Sequence, residues 1–159
     1  MNAILGIDLG EKRIGLAVAP TDGGGALPLQ TLRRGASIDV DAGALLAVLA
    51  AQRVVEIVVG LPLEASGSEG SQAELTRSWV ASLGDRLGVP IGFRDERLSS
   101  HVAEQRLGPM KRGRSGGPPT KAQRDAYRAR VDREAAAIIL QDELDARSAL
   151  IARGHGDAR

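Results

Sequence analysis

Two short apolar runs lie within the first nineteen residues, 4–9 (ILGIDL) and 14–19 (IGLAVA), separated by the turn 10–13 (GEKR). Runs that stay apolar at both odd and even positions describe strands covered above and below. They predict a hairpin inside a sheet that carries other structure on each face.

The remaining pattern supplies that cover. Residues 20–25 hold Pro, Asp and three Gly and predict a loop; 26–32 is a weaker strand whose Pro28 argues for an edge position or a strand start. A helix with Leu45, Leu46 and Leu49 on one side follows, with Asp39 or Asp41 as the candidate N-cap. Residues 54–59 form a buried strand that runs into Gly60-Leu61-Pro62-Leu63. Ser71 and Glu74 fit a capping box, and Leu75, Trp79, Leu83 and Leu87 give the next helix one apolar stripe before Gly88. A fifth strand spans 89–94, a short helix reaches about 107, and the Gly, Pro and basic residues of 108–119 predict a mobile loop. Thr120 to Gln123 opens a last helix, surest over 130–144.

The order β-β-β-α-β-α-β-α-α predicts an α/β protein, a mixed five-stranded sheet flanked by helices. At 159 residues, one domain over 1–150 and a frayed tail over 151–159 are expected.

Composition removes several chemistries. Without Cys there is no disulfide, thiol nucleophile, Cys-ligated zinc or iron–sulfur cluster, and two His make a His-rich metal site improbable. A metal would be held by carboxylates, which favours Mg²⁺ or Mn²⁺. One Trp, one Tyr and one Phe leave no rings for a base-stacking platform. The N-terminal sequence lacks a signal-like pattern and no apolar stretch has membrane-spanning length, so a cytoplasmic protein with no membrane partner is expected.

Against this background Asp8 stands out, because an unpaired carboxylate in a buried strand is costly unless a cation or hydrogen bonds compensate it. Asp132 is similar: helical spacing aligns it with Ala135, Ala136 and Ile139, and the two Ala allow close approach to a sheet. A third acid follows the fifth strand, where alternation admits one of Asp95 and Glu96; Glu96 is preferred and Asp95 held in reserve. Acids gathered from a strand, a strand end and a helix suit divalent cations that activate water against a phosphodiester. The alternative is that each acid is partly exposed or paired with an Arg.

Residues 106–133 contain nine Lys or Arg against two Asp, although the whole chain carries a formal charge of only +1. Such an arm could neutralise phosphates, or it could be a solvated helix face. Candidate phosphate contacts are Lys12, Arg13, Arg97, Lys111, Arg112, Arg114 and Lys121.

Taken together, Gly6-Ile7-Asp8-Leu9-Gly10 with residues 13–18 (RIGLAV), Val59-Gly60-Leu61-Pro62-Leu63, Asp95-Glu96-Arg97-Leu98-Ser99 and the segment from Val131-Asp132 to Leu140 resemble the YqgF family, also called RuvX. The resemblance implies an RNase H-like fold related to the RuvC-type resolvases, with Asp8, Glu96 and Asp132 as metal-binding catalytic acids. It implies a nuclease acting on structured RNA, at the 5′ end of the pre-16S ribosomal RNA, or on branched DNA, at Holliday junctions. Two departures keep further ligands open. Arg133-Glu134 is a charged pair where the family more usually has small or polar residues, which makes Glu134 an alternative. RuvC-type enzymes carry an acid just after the fourth strand, whereas here Glu64 follows Leu63 and is a secondary candidate.

Other readings remain at this stage. The same basic arm would serve a scaffold that holds nucleic acid without cutting it. An actin-like ATPase shares the Asp and Gly hairpin but needs two lobes, and this chain is long enough for one. Junction cutting gains from two opposed sites, which predicts a homodimer in that case.

Overall fold

The computed structural model describes residues 1–96, 98–113 and 115–156. Arg97 and Arg114, both candidate phosphate contacts, lie outside the described residues, as do 157–159.

Five strands form one sheet: β1 (Ala3–Leu9), β2 (Arg13–Pro20), β3 (Leu27–Arg33), β4 (Val54–Leu61) and β5 (Ile91–Asp95). Their order is β3-β2-β1-β4-β5. The first three pair antiparallel through short connections, while β4 and β5 join in parallel through helices. Pro28, which cannot donate to a ladder, sits on the edge strand as its chemistry requires.

The pleat divides the sheet residues between two cores. On one face Leu5, Ile7, Ile14, Leu16, Ile57 and Val59 pack on α1 (Ile38–Gln52), α2 (Ser71–Leu83) and the 3₁₀ turn Gly84–Leu87. On the other, Ile4, Ala17, Ala19 and Val58 meet α4 (Lys121–Gly156), with α3 (Ser99–Leu107) packed alongside that helix. The α4 face is built from small residues. A Cβ on Gly6 would stand 2.8 Å from the Ala136 carbonyl oxygen, and one on Gly15 only 2.0 Å from that of Asp132. Glycine at these positions lets the helix backbone lie directly on the strands.

Several helix ends differ from expectation. Ser37, not Asp39 or Asp41, caps α1, its Oγ accepting from the Val40 amide at 3.4 Å. Asp41 is instead buried, accepting from the Gly35 amide at 2.7 Å and from Trp79 Nε1 at 3.2 Å. A polar anchor inside the core won over capping because an indole N–H buried there needs an acceptor. Gly70 takes the N-cap position of α2 and no side-chain cap forms, so the Ser71–Glu74 box is absent. Leu75 is exposed, and Ala73 and Thr76 complete the buried stripe with Trp79 and Leu83.

At the start of α4 the reciprocal box does form: the Gln123 amide donates to Thr120 Oγ1 at 3.1 Å and the Thr120 amide to Gln123 Oε1 at 2.8 Å. The helix runs through Gly156, beyond the surest stretch of 130–144 and into the tail expected to be frayed.

Candidate active site

The ends of three neighbouring strands position the acids. Asp8 is the penultimate residue of β1 and lies opposite Gly15 of β2, on the face that meets α4. Glu96 directly follows β5, and its amide donates to the Leu61 carbonyl at 3.2 Å, which holds the chain against the end of β4. Gly60 makes the room between them. A Cβ there would stand 2.6 Å from Glu96 Oε2 and 2.5 Å from Ile139 Cδ1.

Asp8 is only 8% exposed, and its carboxyl and that of Glu96 share a hydrogen bond. Two carboxylates can make that bond only if one keeps a proton. Burial pushes the Glu96 carboxyl well up from its ordinary value, and the charge of Asp8 and the bond to it push further in the same direction. Asp8 also moves up, chiefly by burial; the bond from Glu96 opposes this and the charge of Asp132 adds to it. Glu96 is therefore the proton holder of the pair.

Ser99, at the start of α3, is buried and donates to Glu96 Oε2 at 3.3 Å and to the Glu96 carbonyl at 3.2 Å. Sequence reasoning gave this serine no role. Its signal was its place three residues after Glu96, where the first helical turn faces back on the preceding loop.

Asp132 approaches from α4, and Arg13 Nε donates to its Oδ2 at 2.6 Å. Arg13, a candidate phosphate contact, thus bridges the hairpin turn and the helix. Among the described residues, no group of three acids or histidines is arranged to hold a metal ion. The donor chemistry nevertheless fits one: two buried carboxyls in contact compensate each other with a proton, and a divalent cation could take the proton's place.

The reserve acids lie elsewhere. Glu134 pairs with Arg106 of α3 at 3.2 Å, so the charged pair after Asp132 ties two helices together. Asp95 is exposed, and its charge adds to the upward pressure on Glu96. Glu64 lies in the loop after β4, where its carboxyl occupies the space a Cβ on Gly70 would need.

The basic candidates separate into two places. Lys12, Arg13 and Lys121 line a groove of about 830 Å³ beside the first hairpin turn. Lys111 and Arg112 lie in the loop before α4, where Lys111 lines a small pocket with Gln123 and Tyr127 and Arg112 Nη1 donates to the Gly116 carbonyl at 3.2 Å. No helix of the described residues is long and apolar enough to cross a membrane.

Comparison with known proteins gives the chain's family. A protein of Rhizobium etli named "Putative pre-16S rRNA nuclease" is 40% identical over 156 residues, covering 98% of this chain and 87% of its own. One of the same name from Anaeromyxobacter is 42% identical over 145 residues, covering 91% and 98%. Among solved structures, Thermus thermophilus RuvC aligns with a TM-score of 0.44 at 16% identity, over 84% of this chain and 92% of that one. The mixed sheet in the order β3-β2-β1-β4-β5, with helices on both faces, is the α/β architecture expected from the sequence. Residues 2–146 match the model described as RuvX: Holliday junction resolvase, and the chain belongs to the RuvX family.

Proposed function

We propose that this protein is a divalent-metal-dependent endonuclease that hydrolyses phosphodiester bonds in structured nucleic acid, at the 5′ end of pre-16S ribosomal RNA. The observation that carries this reading is the buried Asp8–Glu96 carboxyl pair at the ends of β1 and β5. Asp8 and Glu96 would hold Mg²⁺ or Mn²⁺, with Asp132 as the third acid. When bound, such an ion activates water and stabilises the leaving oxygen.

The chain's own groups do the rest. Ser99 orients the Glu96 carboxyl through its 3.3 Å bond. Arg13 keeps Asp132 in place and presents a guanidinium beside the acids, where a phosphate would meet it. Small residues under α4 keep the acids at the sheet surface, and the layer of Ile139 beside Glu96 limits water around the pair.

A second reading, resolution of Holliday junctions in DNA, is favoured by the description of the matching family model. Incubating the protein and its Asp8→Asn variant with a precursor 16S leader and a four-way DNA junction, in Mn²⁺, Mg²⁺ and EDTA, separates the readings. Cutting of the RNA in either metal is expected, with a loss of 100-fold or more in the variant, an order of magnitude suited to removing an essential charged group (~2.7 kcal/mol or more). Junction cutting alone selects the second reading. Binding in EDTA without cutting in either metal selects a scaffold and overturns both.

A further inference from the structure

Beside the acids lies a second, larger feature. The groove of about 830 Å³ is walled by the hairpin turn (Glu11, Lys12, Arg13), the end of β3 with Arg33 and Arg34, and the first turns of α4 with Lys121, Asp125 and Arg128. Six cations thus face two acids in a chain whose overall formal charge is +1. Arg13, Arg33 and Arg128 come from three different elements, and pairing of Arg13 with Arg33 across β2 and β3 brings two of them together.

The groove is held open by its own bonds. Thr31 Oγ1 donates to the Ala129 carbonyl at 2.5 Å, fixing β3 to α4 at its floor. Arg34 Nη1 donates to the Gly10 carbonyl at 3.1 Å, and Asp41, anchored by Trp79, lies 3.8 Å from Arg34 Nε. Among the described residues, Lys12, Arg33, Lys121 and Arg128 have no acid partner. Four unneutralised cations in a concavity create a field that attracts polyanions.

Resting on the nuclease reading of Asp8 and Glu96, we infer that this groove holds the phosphate backbone of the strand leading away from the cut. Lys121, Asp125, Arg128 and Asp132 recur at helical spacing on one stripe of α4, so the groove leads to the acids. The eleven helical steps from Lys121 to Asp132 span ~16 Å at 1.5 Å per step. That length matches about five nucleotide steps at the ~3.4 Å axial rise of a stacked strand. None of the lining residues is aromatic, so the groove reads phosphates rather than base identity.

The test uses the Asp8→Asn protein in EDTA, with binding of a fluorescein-labelled RNA hairpin followed by anisotropy over a salt series. In that background Arg33→Gln, Lys121→Gln and Arg128→Gln are combined, and a control combines Arg53→Gln, Arg86→Gln and Arg153→Gln. The groove triple is expected to flatten the slope of log K against log salt by about two to three, at ~0.7 to 0.9 for each phosphate no longer neutralised. The control should leave it within about 0.5 of the parent. Lysine at 33 and 128 should restore most of the slope, which a fold defect would not allow. Shortening the hairpin's single-stranded flank below about five nucleotides should remove the difference between parent and groove triple.

An unchanged slope in the groove triple, or an equal loss in the control, overturns the groove assignment. Metal-dependent cutting by the protein with native Asp8, tested in parallel, would then leave the nuclease reading standing. A flattened slope with no cutting in Mg²⁺ or Mn²⁺ supports the groove and overturns the nuclease reading instead.

Discussion

Asp8 and Glu96 are compatible with burial only while something offsets their like charge. In the metal-free chain that is a proton on Glu96. The folded state therefore keeps the proton to higher pH than the unfolded chain, where Glu96 returns to its ordinary value of 4.5. Above that value the folded form binds more protons, so stability contributed by the protonated pair is fully present at acid pH and lost as the pH rises. Asp8, raised from 3.8, acts in the same direction. In EDTA, thermal melts should show stability falling from about pH 5 through neutrality, by up to ~1.4 kcal/mol per pH unit for one proton. Glu96→Gln, neutral at every pH, should flatten most of that fall. A slope unchanged by the substitution would mean that other groups control it. The acids at 8 and 132 were visible in sequence because a charge among apolar neighbours is anomalous. Ser99 was not, since its spacing of three from Glu96 tells only once Ser99 is known to open a helix.

At the scale of elements, α4 carries the site. It is 36 residues long, begins at a formed capping box, lines the groove with its first turns, presents Asp132 about a third of the way along and packs Ala136, Ile139 and Leu140 on the sheet, while Ala135 turns to α3. Its close approach depends on glycine. In Gly15→Ala the new Cβ would overlap the Asp132 carbonyl, and both partners are backbone. Loss of about 1 to 3 kcal/mol is expected from such overpacking. Gly92→Ala, on β5 with nothing within 4 Å of the new atom, should be neutral or slightly stabilising. Denaturant melts of the two variants check this, and equal stabilities would contradict the proposed contact. Periodicity announced the strands and the stripe of α4, but not the helix's full length, because its polar extension has no apolar face to reveal it. The helix caps were misassigned where local rules competed with tertiary demand. Asp41 satisfies Trp79 rather than its own helix, and Gly70 leaves Ser71 inside α2.

For the whole molecule, topology brings together what the chain keeps apart. Asp8, Glu96 and Asp132 lie on β1, after β5 and on α4, yet β1 and β5 both flank β4 and α4 crosses the same face. The order of apolar runs and helices was enough to foresee a mixed five-stranded sheet, and the parallel β1, β4 and β5 then bring Asp8 and Glu96 to one end. What could not be foreseen was the pairing of charges. Which of the five basic residues in 121–133 faces Arg33 depends on the rotation of α4 against β3, fixed by contacts such as Thr31 with Ala129. The same rotation sends Glu134 to Arg106 and Asp132 to Arg13.

On the proposed function, the Asp8–Glu96 pair exchanges its proton for a divalent cation. Calorimetric titration with Mn²⁺ at pH 7, in two buffers of different ionisation enthalpy, measures that exchange directly. Release of about one proton per ion bound is expected in the unmodified protein, with no release in Glu96→Gln and little or no binding in Asp8→Asn. Binding without proton release, or binding that neither substitution alters, would contradict it.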